Sequence, residues 1–546
     1  MPDPGKLNIN QSETSGNVVD EIAGLIKNTF WDNLTRRLDA SGIEGAAVDP
    51  KDQTKNPRPR IYLPPSSEDQ LAYYSRIAKE RPKLDLDVVK LPVEGELSSV
   101  QVKDLNGIFG LLALEIDHAK SPETGEMELK PVPFVVAGGR FNEMYGWDSY
   151  FLSLGLLNDG HPELVKSMVE NFMFEVKHYG KILNANRSYY LGRSQPPFLT
   201  DMALKTYDAI KHEPGSKDFL KRAIMTAIKE YHDVWMAPPR YDPVTGLSRY
   251  GPAGVGLPPE VPPCEYDFLL IPRAREHGMR LEDFIHAYNE MELHDAVCDE
   301  FFRHDRAVRE SGHDTSHRVE NVCADLATID LNSLLYTYET EIAQTIRTVF
   351  DDKLVVPKEF CAHGAEPDHV ETSSLWDERA KKRKSLIDKY LWNEEKGMYF
   401  DYNTVSKEQT SYEAAPMLWP LWCGVAEPHQ ASLLVSKGLP KLECSGGIAS
   451  SSLASGGASD RNHQWDYPYG WPPHQVMAWD GLIKYGFRKE AERCAYRWLR
   501  TITSAFVKYN GFVAEKYDVT RLSDPRNIDA GYGNQGDDAS APKRSG

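Results

Sequence analysis

The sequence lacks long apolar runs and any excess of positive charge. Nowhere in its 546 residues is there a run of roughly 18 apolar residues, the length that predicts a membrane-spanning helix. The first residues, MPDPGKLNINQSETSG, have no apolar core of the kind found in signal peptides. With 63 Lys and Arg against 81 Asp and Glu, the net charge is −18. Because nucleic acids and anionic membranes bind clustered positive charge, we expect neither as a partner.

Paired cysteines and nucleotide-binding motifs are also missing. The seven cysteines are scattered and include no C-x-x-C pair, so the sequence predicts neither a zinc ribbon nor a disulfide framework. This cysteine usage fits a reducing compartment, and we expect a cytoplasmic protein. No G-x-x-x-x-G-K motif occurs, and no strand is followed by G-x-G-x-x-G, so nucleotide binding has no support. No His, Cys or Asp spacing typical of metal ligands is visible, and we expect neither a metal ion nor an organic cofactor.

Amphipathic helix patterns are abundant, whereas the alternating patterns typical of strands are scarce. Between residues 161 and 178, for example, Val165, Val169, Phe172 and Val176 form one apolar stripe at helical spacing. Patterns of this kind predict helices at 17–40, 67–80, 161–178, 217–236, 281–298, 325–350, 371–392, 412–423, 428–437, 474–486 and 488–506. The sequence therefore predicts a mainly helical protein.

Long irregular stretches separate these helices. They lie at 181–200, 238–266, 308–324, 444–473 and 508–531, and loops of this length in a compact domain are usually functional or disordered. Their content of Trp, Tyr, Arg and Asp favours ordered loops. The segment 446–460, GGIASSSLASGGASD, is the exception, and its composition predicts a flexible lid or linker.

Two of the irregular stretches combine residue types that suit a sugar site. Residues 137–150, AGGRFNEMYGWDSY, carry Arg140, Glu143, Trp147 and Asp148, which supply charged hydrogen-bonding groups and an indole for a ring face. Residues 464–475, QWDYPYGWPPHQ, add two further tryptophans and three prolines. Taken alone, the first stretch equally suits a buried Arg–Glu pair beside a core Trp, and the second a structural corner between helices.

Together these two stretches closely resemble the two signature motifs of trehalases, the glycoside hydrolases that cleave α,α-trehalose. The resemblance extends from about residue 30 to about residue 536. RPRIYLPP at 58–65, DLATIDLNSLLY at 325–336 and EKYDVT at 515–520 are most similar to the cytosolic neutral trehalases of fungi. One departure is Ala137, since the family signature usually begins with Pro.

The resemblance implies an all-α fold, an (α/α) toroid of helical hairpins with long active-site loops. On that basis we expect four regions. They are a disordered leader at 1–16, a helical extension packed on the barrel at 17–105, the catalytic toroid at 106–531 and a disordered tail at 532–546.

The resemblance also implies the site residues. It places Asp314, in RESGHDTS, as the general acid and Glu515, in VAEKYD, as the general base of an inverting hydrolysis of trehalose to glucose. The substrate contacts that it implies are Arg140, Trp147, Asp148, Asn184, Arg193, Ser194, Gln195, Glu260, Arg309 and Gly312.

On sequence alone these assignments have competitors. Without the family pattern, Asp314 suits a turn cap and Glu515 a surface ion pair, and both His313 and His463 titrate in a range suited to acid–base chemistry. Two other functions stay open. One is another inverting glycosidase on a helical toroid, and the other is a catalytically impaired protein that binds trehalose or regulates its metabolism.

The last residues of the sequence differ from the family. After EKYDVTRLSDPRNIDAGYGNQGDD the sequence closes with ASAPKRSG, without the aromatic, glycine-rich segment and the final helix of similar trehalases. That helix would help to close the ring, and the segment before it would cover part of the substrate funnel. From this difference we expect reduced stability and weak or no activity.

Overall fold

The computed structural model describes residues 17–49, 51–52, 57–105, 108–120, 125–456, 463–509, 511–520 and 528–529. The predicted leader at 1–16 and the predicted tail at 532–546 lie outside these residues. Across the described ranges, no helix is both long and apolar enough to cross a bilayer.

Helices dominate the structure. The longer ones are Glu68–Glu80, Gly146–Asp159, Pro162–Tyr179, Leu199–Ile210, Ser216–Glu230, Asp267–Glu276, Leu281–Asn289, Ala296–Glu310, Ile329–Val349, Ser373–Tyr390, Pro472–Lys484 and Arg488–Lys508. The shorter ones are Val18–Leu25, Trp31–Leu34, Ala40–Ala46, Ser99–Asp104, Trp419–Cys423, Pro428–Leu433, Leu439–Leu442 and Leu453–Gly456.

A set of central helices is surrounded by amphipathic partners. The central helices are Gly146–Asp159, Leu199–Ile210, Ile329–Val349, Trp419–Cys423 and Pro472–Lys484, and each packs against the next in this order. Four of these helices have an outer partner. Pro162–Tyr179 packs on Gly146–Asp159, and Ser216–Glu230 packs on Leu199–Ile210. Ser373–Tyr390 packs on Ile329–Val349, and Arg488–Lys508 packs on Pro472–Lys484. This series of helical hairpins is the expected all-α (α/α) toroid.

The burial pattern explains which helices are central. Ile329–Val349 buries side chains around most of its circumference, whereas Ser373–Tyr390 buries Trp376, Ala380, Arg383 and Ile387, a single stripe at helical spacing. A helix that is buried around most of its circumference needs neighbours on several sides, while a single buried stripe requires only one neighbour. The burial patterns of the two helices therefore match their inner and outer positions in the hairpin.

Strands are short and join loops rather than forming a core sheet. The three-stranded sheets consist of Asp87–Lys90, Arg60–Leu63 and Leu111–Leu112; of Glu408–Gln409, Tyr402–Asn403 and Leu326–Ala327; and of Tyr469–Gly470, Lys516–Asp518 and Ile528–Asp529. The two-stranded pairs are Thr35–Arg36 with Phe134–Val135, Ile116–Lys120 with Met127–Pro131, Leu354–Val356 with His369–Glu371, Trp392–Asn393 with Met398–Tyr399, and Glu443–Cys444 with Gly447–Ile448.

The segment before the central helices packs against them. The Trp31 indole donates a 2.7 Å hydrogen bond to Asp159 and covers Gly155, where a Cβ would lie 3.0 Å from the ring. The parallel sheet around Arg60–Leu63 includes Leu111–Leu112, which lies beyond residue 105. The division of the chain at residue 105 stays a prediction.

Two predicted helices end earlier than the pattern indicates. The helix predicted at 17–40 ends at Leu34, because Thr35 turns to an extended conformation and pairs with Val135. The helix predicted at 281–298 is two helices, Leu281–Asn289 and Ala296–Glu310. Asp295 causes this break, since its carboxylate accepts hydrogen bonds from the amides of residues 297 and 298 and so caps a new helix.

The segment 446–460 is not a flexible linker over its described part. Residues 447–448 pair with 443–444, and Ser450 and Ser451 are buried. At Gly446 a Cβ would lie 2.8 Å from the carbonyl oxygen of Val519. The small residues in 446–456 therefore allow close backbone packing, while 457–460 lie outside the described residues.

A buried ionic network anchors the loop that follows Ala296–Glu310. The Arg318 guanidinium donates to Asp401 at 2.7 and 2.8 Å and to Asp330 at 3.2 and 3.3 Å, and all three side chains are almost fully enclosed. The carboxylate of Asp401 also accepts from the amide of Ile329. The network thus ties this loop to the first turn of the central helix Ile329–Val349.

Replacing Arg318 with Met is expected to lower the free energy of unfolding by about 3–5 kcal/mol, because two buried carboxylates lose their counter-charge. The matched control is Arg347→Met. Arg347 pairs with Asp377 at the surface, where a pair contributes about 0–1 kcal/mol. Urea unfolding monitored by circular dichroism measures both changes, and equal effects of the two substitutions would contradict the network's role.

Candidate active site

Several of the predicted site residues lie at or just before the amino-terminal ends of the central helices. Trp147 and Asp148 occupy the first turn of Gly146–Asp159, and Arg193, Ser194 and Gln195 come just before Leu199–Ile210. The segment 464–475 leads into Pro472–Lys484. Since the central helices pack side by side, their preceding loops meet at one end of the toroid.

Asp314 lies in the loop after Ala296–Glu310, which packs directly on the first motif. Gly312 adopts a φ of +75°, and a Cβ there would lie 2.7 Å from the Trp147 ring. Only glycine tolerates both the backbone conformation and this approach. The contact therefore brings the loop of the predicted acid against the indole of the first motif.

The segment 464–475 holds the same loop from the other side. The Gln464 side-chain amide donates to the carbonyl oxygen of Asp314, and the Trp465 amide donates to that of Thr315 at 3.0 Å. The carboxylate of Asp466 accepts from the Ser316 hydroxyl at 2.7 Å and from the amide of residue 317 at 2.8 Å. The second motif thus holds in place the backbone of the loop that carries the predicted acid.

This segment also positions Glu515. Glu515 immediately precedes Lys516–Asp518, which pairs with Tyr469–Gly470 in an antiparallel register. The Lys516 ammonium lies 3.4 Å from the side-chain oxygen of Gln464 and 5.4 Å from the centre of the Trp471 ring. The loop of the predicted acid and the strand of the predicted base are therefore attached to one rigid segment.

Electrostatics links Asp148 to both predicted catalytic carboxyls. The pKa of Asp148 is raised to about 7, mainly by burial and in addition by the negative charges of Glu515 and Asp314. Burial also raises the pKa of Asp314, although the nearby charges of Arg309 and Arg193 act in the opposite direction. Asp148 therefore lies close enough to Asp314 and Glu515 to interact electrostatically with both.

Arg193 and Glu260 form a buried pair at this end of the toroid. The Arg193 guanidinium lies 2.8 Å from the Glu260 carboxylate and 4.7 Å from the centre of the Tyr190 ring. Burial disfavours the charged form of Glu260, but the charges of Arg193 and Arg309 outweigh it and lower the pKa of this carboxyl. Both groups are therefore ionised and fixed in orientation.

Hydrogen bonds connect the remaining predicted contacts. The side chain of Gln195 accepts from the Trp147 amide at 2.8 Å, and the Asn184 side chain donates to the carbonyl oxygen of Arg309 at 3.4 Å. The Ser194 hydroxyl is buried and donates to the carbonyl oxygen of residue 182. Ser194 therefore supports the loop, whereas its predicted contact with substrate stays a prediction.

Arg140 is more exposed than the other predicted contacts in its motif. Its residue is exposed, and its guanidinium lies 4.4 Å from the centre of the Phe141 ring. Glu143, three residues further on, instead accepts from the fully buried Arg187. The buried Arg–Glu pair in this motif therefore involves a distant arginine, and the role of Arg140 toward substrate stays a prediction.

The two histidines considered for acid–base chemistry have different surroundings. His313 is buried between Trp147 and Trp465, and burial lowers its pKa to about 4, so the ring is neutral near pH 7. His463 contacts the Thr315 hydroxyl at 2.9 Å. His313 therefore fills an aromatic cluster rather than carrying a proton.

Sequence reasoning missed Lys51 and the supporting role of Asp466. The Lys51 ammonium lies 3.3 Å from the Tyr190 hydroxyl, and the charges of Tyr190 and Glu260 raise the pKa of this amine against the effect of burial. Lys51 precedes the first motif by almost ninety positions, so linear spacing carried no signal for it. The flanking sequence QWDY could have indicated Asp466, because an Asp beside a rigid aromatic loop commonly caps backbone amides.

Two groups of potential metal ligands lie together in the described part of the chain. They are His317, Glu320 and His463, and Glu300, His304 and Asp325. Neither group includes Asp314 or Glu515.

A helical toroid that carries carboxyls beside arginines and indoles has the groups that a glycoside hydrolase uses. The comparisons specify the family. The trehalase family model matches residues 7–544. Cytosolic neutral trehalase from Neurospora crassa is 55% identical over 542 residues, which cover 98% of this chain and 73% of that protein. The corresponding protein from Saccharomyces cerevisiae is 49% identical over 537 residues, with 97% and 70% coverage.

A solved structure gives the same result for the fold. The neutral trehalase structure from Saccharomyces cerevisiae superimposes with a TM-score of 0.88 at 49% identity, covering 92% of this chain and 91% of that one. The chain belongs to the trehalase family. It is a glycoside hydrolase of that family, and its reaction is the hydrolysis of trehalose to glucose.

Replacing Gly312 with Ala is expected to lower kcat/KM at least about tenfold, equivalent to about 1.4 kcal/mol. The added methyl group forces the acid loop away from Trp147. Gly160→Ala is the matched control, because Gly160 also has a positive φ but open space around its Cβ. Initial rates of glucose release, measured beside melting curves, separate the effects. Equal activity losses in both variants would mean that backbone strain, not the contact with Trp147, causes them.

Proposed function

We propose that Asp314 is the general acid and Glu515 the general base of an inverting hydrolysis of α,α-trehalose. The observation that carries this proposal is the shared electrostatic environment of the carboxyls. The pKa of Asp148 is raised by both Glu515 and Asp314, which supports a single cavity between the two proposed groups. The segment 464–475 attaches to both, so their separation is fixed before substrate arrives.

The environment of Asp314 suits an acid. Burial raises the pKa of this carboxyl, which favours the protonated form that must donate to the bridging oxygen. The positive charges of Arg309 and Arg193 limit the rise, and they stabilise the carboxylate that remains after the proton has left. The same group can thus hold a proton before bond cleavage and carry a charge after it.

Glu515 completes the proton balance. Its carboxylate takes a proton from a water molecule that attacks the anomeric carbon, while Asp314 gives its proton to the glucose that leaves. The water approaches from the face opposite the leaving group, so one anomeric centre is inverted. This geometry requires a separation of about 6.5–9.5 Å between the carboxyls.

The other residues of the site are proposed to hold the two glucose rings. Arg193, Arg309 and Glu260 are fixed in a charged cluster and offer hydrogen bonds to hydroxyls, which suits planar guanidinium forks. Trp147 supplies an apolar ring face. Asn184, Gln195, Asp148, Ser194, Gly312 and Arg140 form the remainder of the proposed substrate-contact set.

The proposed partner is the sugar alone, without nucleic acid or membrane. The net charge of −18 supports this, because it opposes binding to polyanions. The relatives from Neurospora crassa and Saccharomyces cerevisiae are named cytosolic, and we propose the same compartment for this chain.

Trehalose hydrolysis is expected to release one α-glucose and one β-glucose per turnover. Retention at the reacting carbon would give α-glucose alone, whereas inversion converts one of the two α-linkages. Proton NMR during the first minutes distinguishes the anomers before mutarotation mixes them. A signal from α-glucose alone would rule out the inverting assignment, and trehalose binding without glucose release would rule out turnover itself.

Asp314→Asn and Glu515→Gln are each expected to reduce kcat by about 10²–10⁴-fold, with a much smaller effect on trehalose binding. Each substitution removes a proton transfer and keeps the shape of the side chain. The matched controls are Asp208→Asn and Glu282→Gln at exposed positions, which are expected to keep full activity. Near-normal kcat in the Glu515 variant would assign the base to another residue.

A further inference from the structure

Three potential metal ligands meet just outside the acid loop. His317 and Glu320 follow Asp314 in the chain, whereas His463 immediately precedes the second motif. The Nδ1 atom of His317 lies 3.2 Å from a Glu320 carboxylate oxygen, and the Nε2 atom of His463 lies 3.5 Å from the same oxygen. All three ligand atoms fall within 4.8 Å of one another.

These separations suit a tetrahedral cation. Zn²⁺ binds imidazole nitrogen and carboxylate oxygen at about 2.0–2.2 Å, so two ligand atoms of a tetrahedral site lie roughly 3.3–3.5 Å apart. The two measured separations, 3.2 and 3.5 Å, are close to this edge length. Both histidine nitrogens are therefore already at a suitable distance from the Glu320 oxygen for a shared cation.

His463 is held in the orientation of a metal ligand. Its Nδ1 atom lies 2.9 Å from the Thr315 hydroxyl, which leaves Nε2 directed toward Glu320. Metal-binding histidines commonly use their second nitrogen in this way, because the outer hydrogen bond fixes the ring and its tautomer. The Asp466 carboxylate fixes the other segment through the backbone amide of residue 317. Both segments are thus positioned by contacts outside the cluster.

Glu320 supplies the negative charge that a cation needs. Its side chain is 44% exposed, compared with 20% for His317 and 16% for His463. The carboxylate is therefore open to an ion arriving from solvent with bound water.

The second group of potential metal ligands, Glu300, His304 and Asp325, is less suited to bind a cation. Glu300 and Asp325 lie 2.7 and 2.9 Å from the Arg303 guanidinium. This fixed positive charge occupies the space between the carboxylates, and the cluster contributes one histidine, His304, instead of two. The pair of imidazoles around one carboxylate is the donor set that zinc prefers.

We propose that His317, Glu320 and His463 bind one divalent cation of the Zn²⁺ type, with water completing the coordination. The site is separate from the proposed acid and base, so the ion is not a reagent in trehalose hydrolysis. Its position is nevertheless close to the reaction, because Thr315 follows Asp314 and Gln464 follows His463. An ion there would cross-link the acid loop to the segment that supports it.

The test is titration of the full chain with ZnCl₂ by calorimetry, after stripping with a chelator. We expect one site and a rise in melting temperature on binding. Co²⁺ is the spectroscopic probe. A tetrahedral site with nitrogen and oxygen ligands gives visible d–d bands without the intense thiolate charge-transfer band that a cysteine site would show. Absence of binding, or a thiolate band, would overturn the proposal.

Variants assign the ligands. His317→Ala and His463→Ala are each expected to weaken Zn²⁺ binding by more than about 100-fold, and Thr315→Val, which removes the outer hydrogen bond, by about 10–100-fold. His304→Ala, in the contrasting cluster, and His118→Ala, at the surface, serve as controls and should bind normally. If a ligand variant melts early, Glu320→Gln provides an independent ligand loss with nearly unchanged shape. Unchanged affinity in the variants of the proposed cluster would place the ion elsewhere.

Discussion

The close contact between Gly312 and the Trp147 indole is the constraint on which the active end of the toroid depends. It requires a left-handed backbone at Gly312 and leaves no room for a side chain. Through it, the loop of Asp314 rests on the first turn of a central helix instead of projecting into solvent. The position of the acid is therefore set by core packing, and the rest of the site is arranged around it by hydrogen bonds from 464–475.

Burial of the active-site loops shifts the pKa values of their carboxyl groups, and acid–base catalysis depends on these values. Carboxyls that are removed from water hold their protons more tightly, and those that face arginines hold them less tightly. Asp148 and Asp314 belong to the first kind, and Glu260 to the second. One end of the fold thus contains carboxyl groups whose pKa values are shifted in opposite directions, and acid–base catalysis by carboxyls depends on such differences.

Much of this architecture could be predicted from the sequence, because apolar residues recur at helical spacing in the buried helices. The prediction failed where another interaction decides the local structure. Apolar spacing predicted Pro162–Tyr179 and Ile329–Val349 because their burial follows helical periodicity. It failed at Asp295, where a side-chain cap rather than periodicity begins a helix. It also failed at 446–456, where small residues serve tight packing and not flexibility.

The candidate site could likewise be predicted only in part. The residue types of the two motifs indicated sugar chemistry, and the resemblance to trehalases supplied Asp314 and Glu515. Neither source could supply contacts between distant segments. The contacts of Lys51 with Tyr190 and of His463 with Glu320 form only in the folded chain and have no linear signature.

The order of these segments along the chain has a consequence for synthesis on the ribosome. The loop of Asp314 and all the proposed substrate contacts are translated first, whereas the segment that supports the loop begins at residue 464 and the proposed base follows at 515. A nascent chain therefore carries sugar-binding groups long before it carries a complete proton-transfer pair. Hydrolysis can begin only after both late segments have left the ribosomal tunnel and docked, so the onset of activity reports the completion of folding.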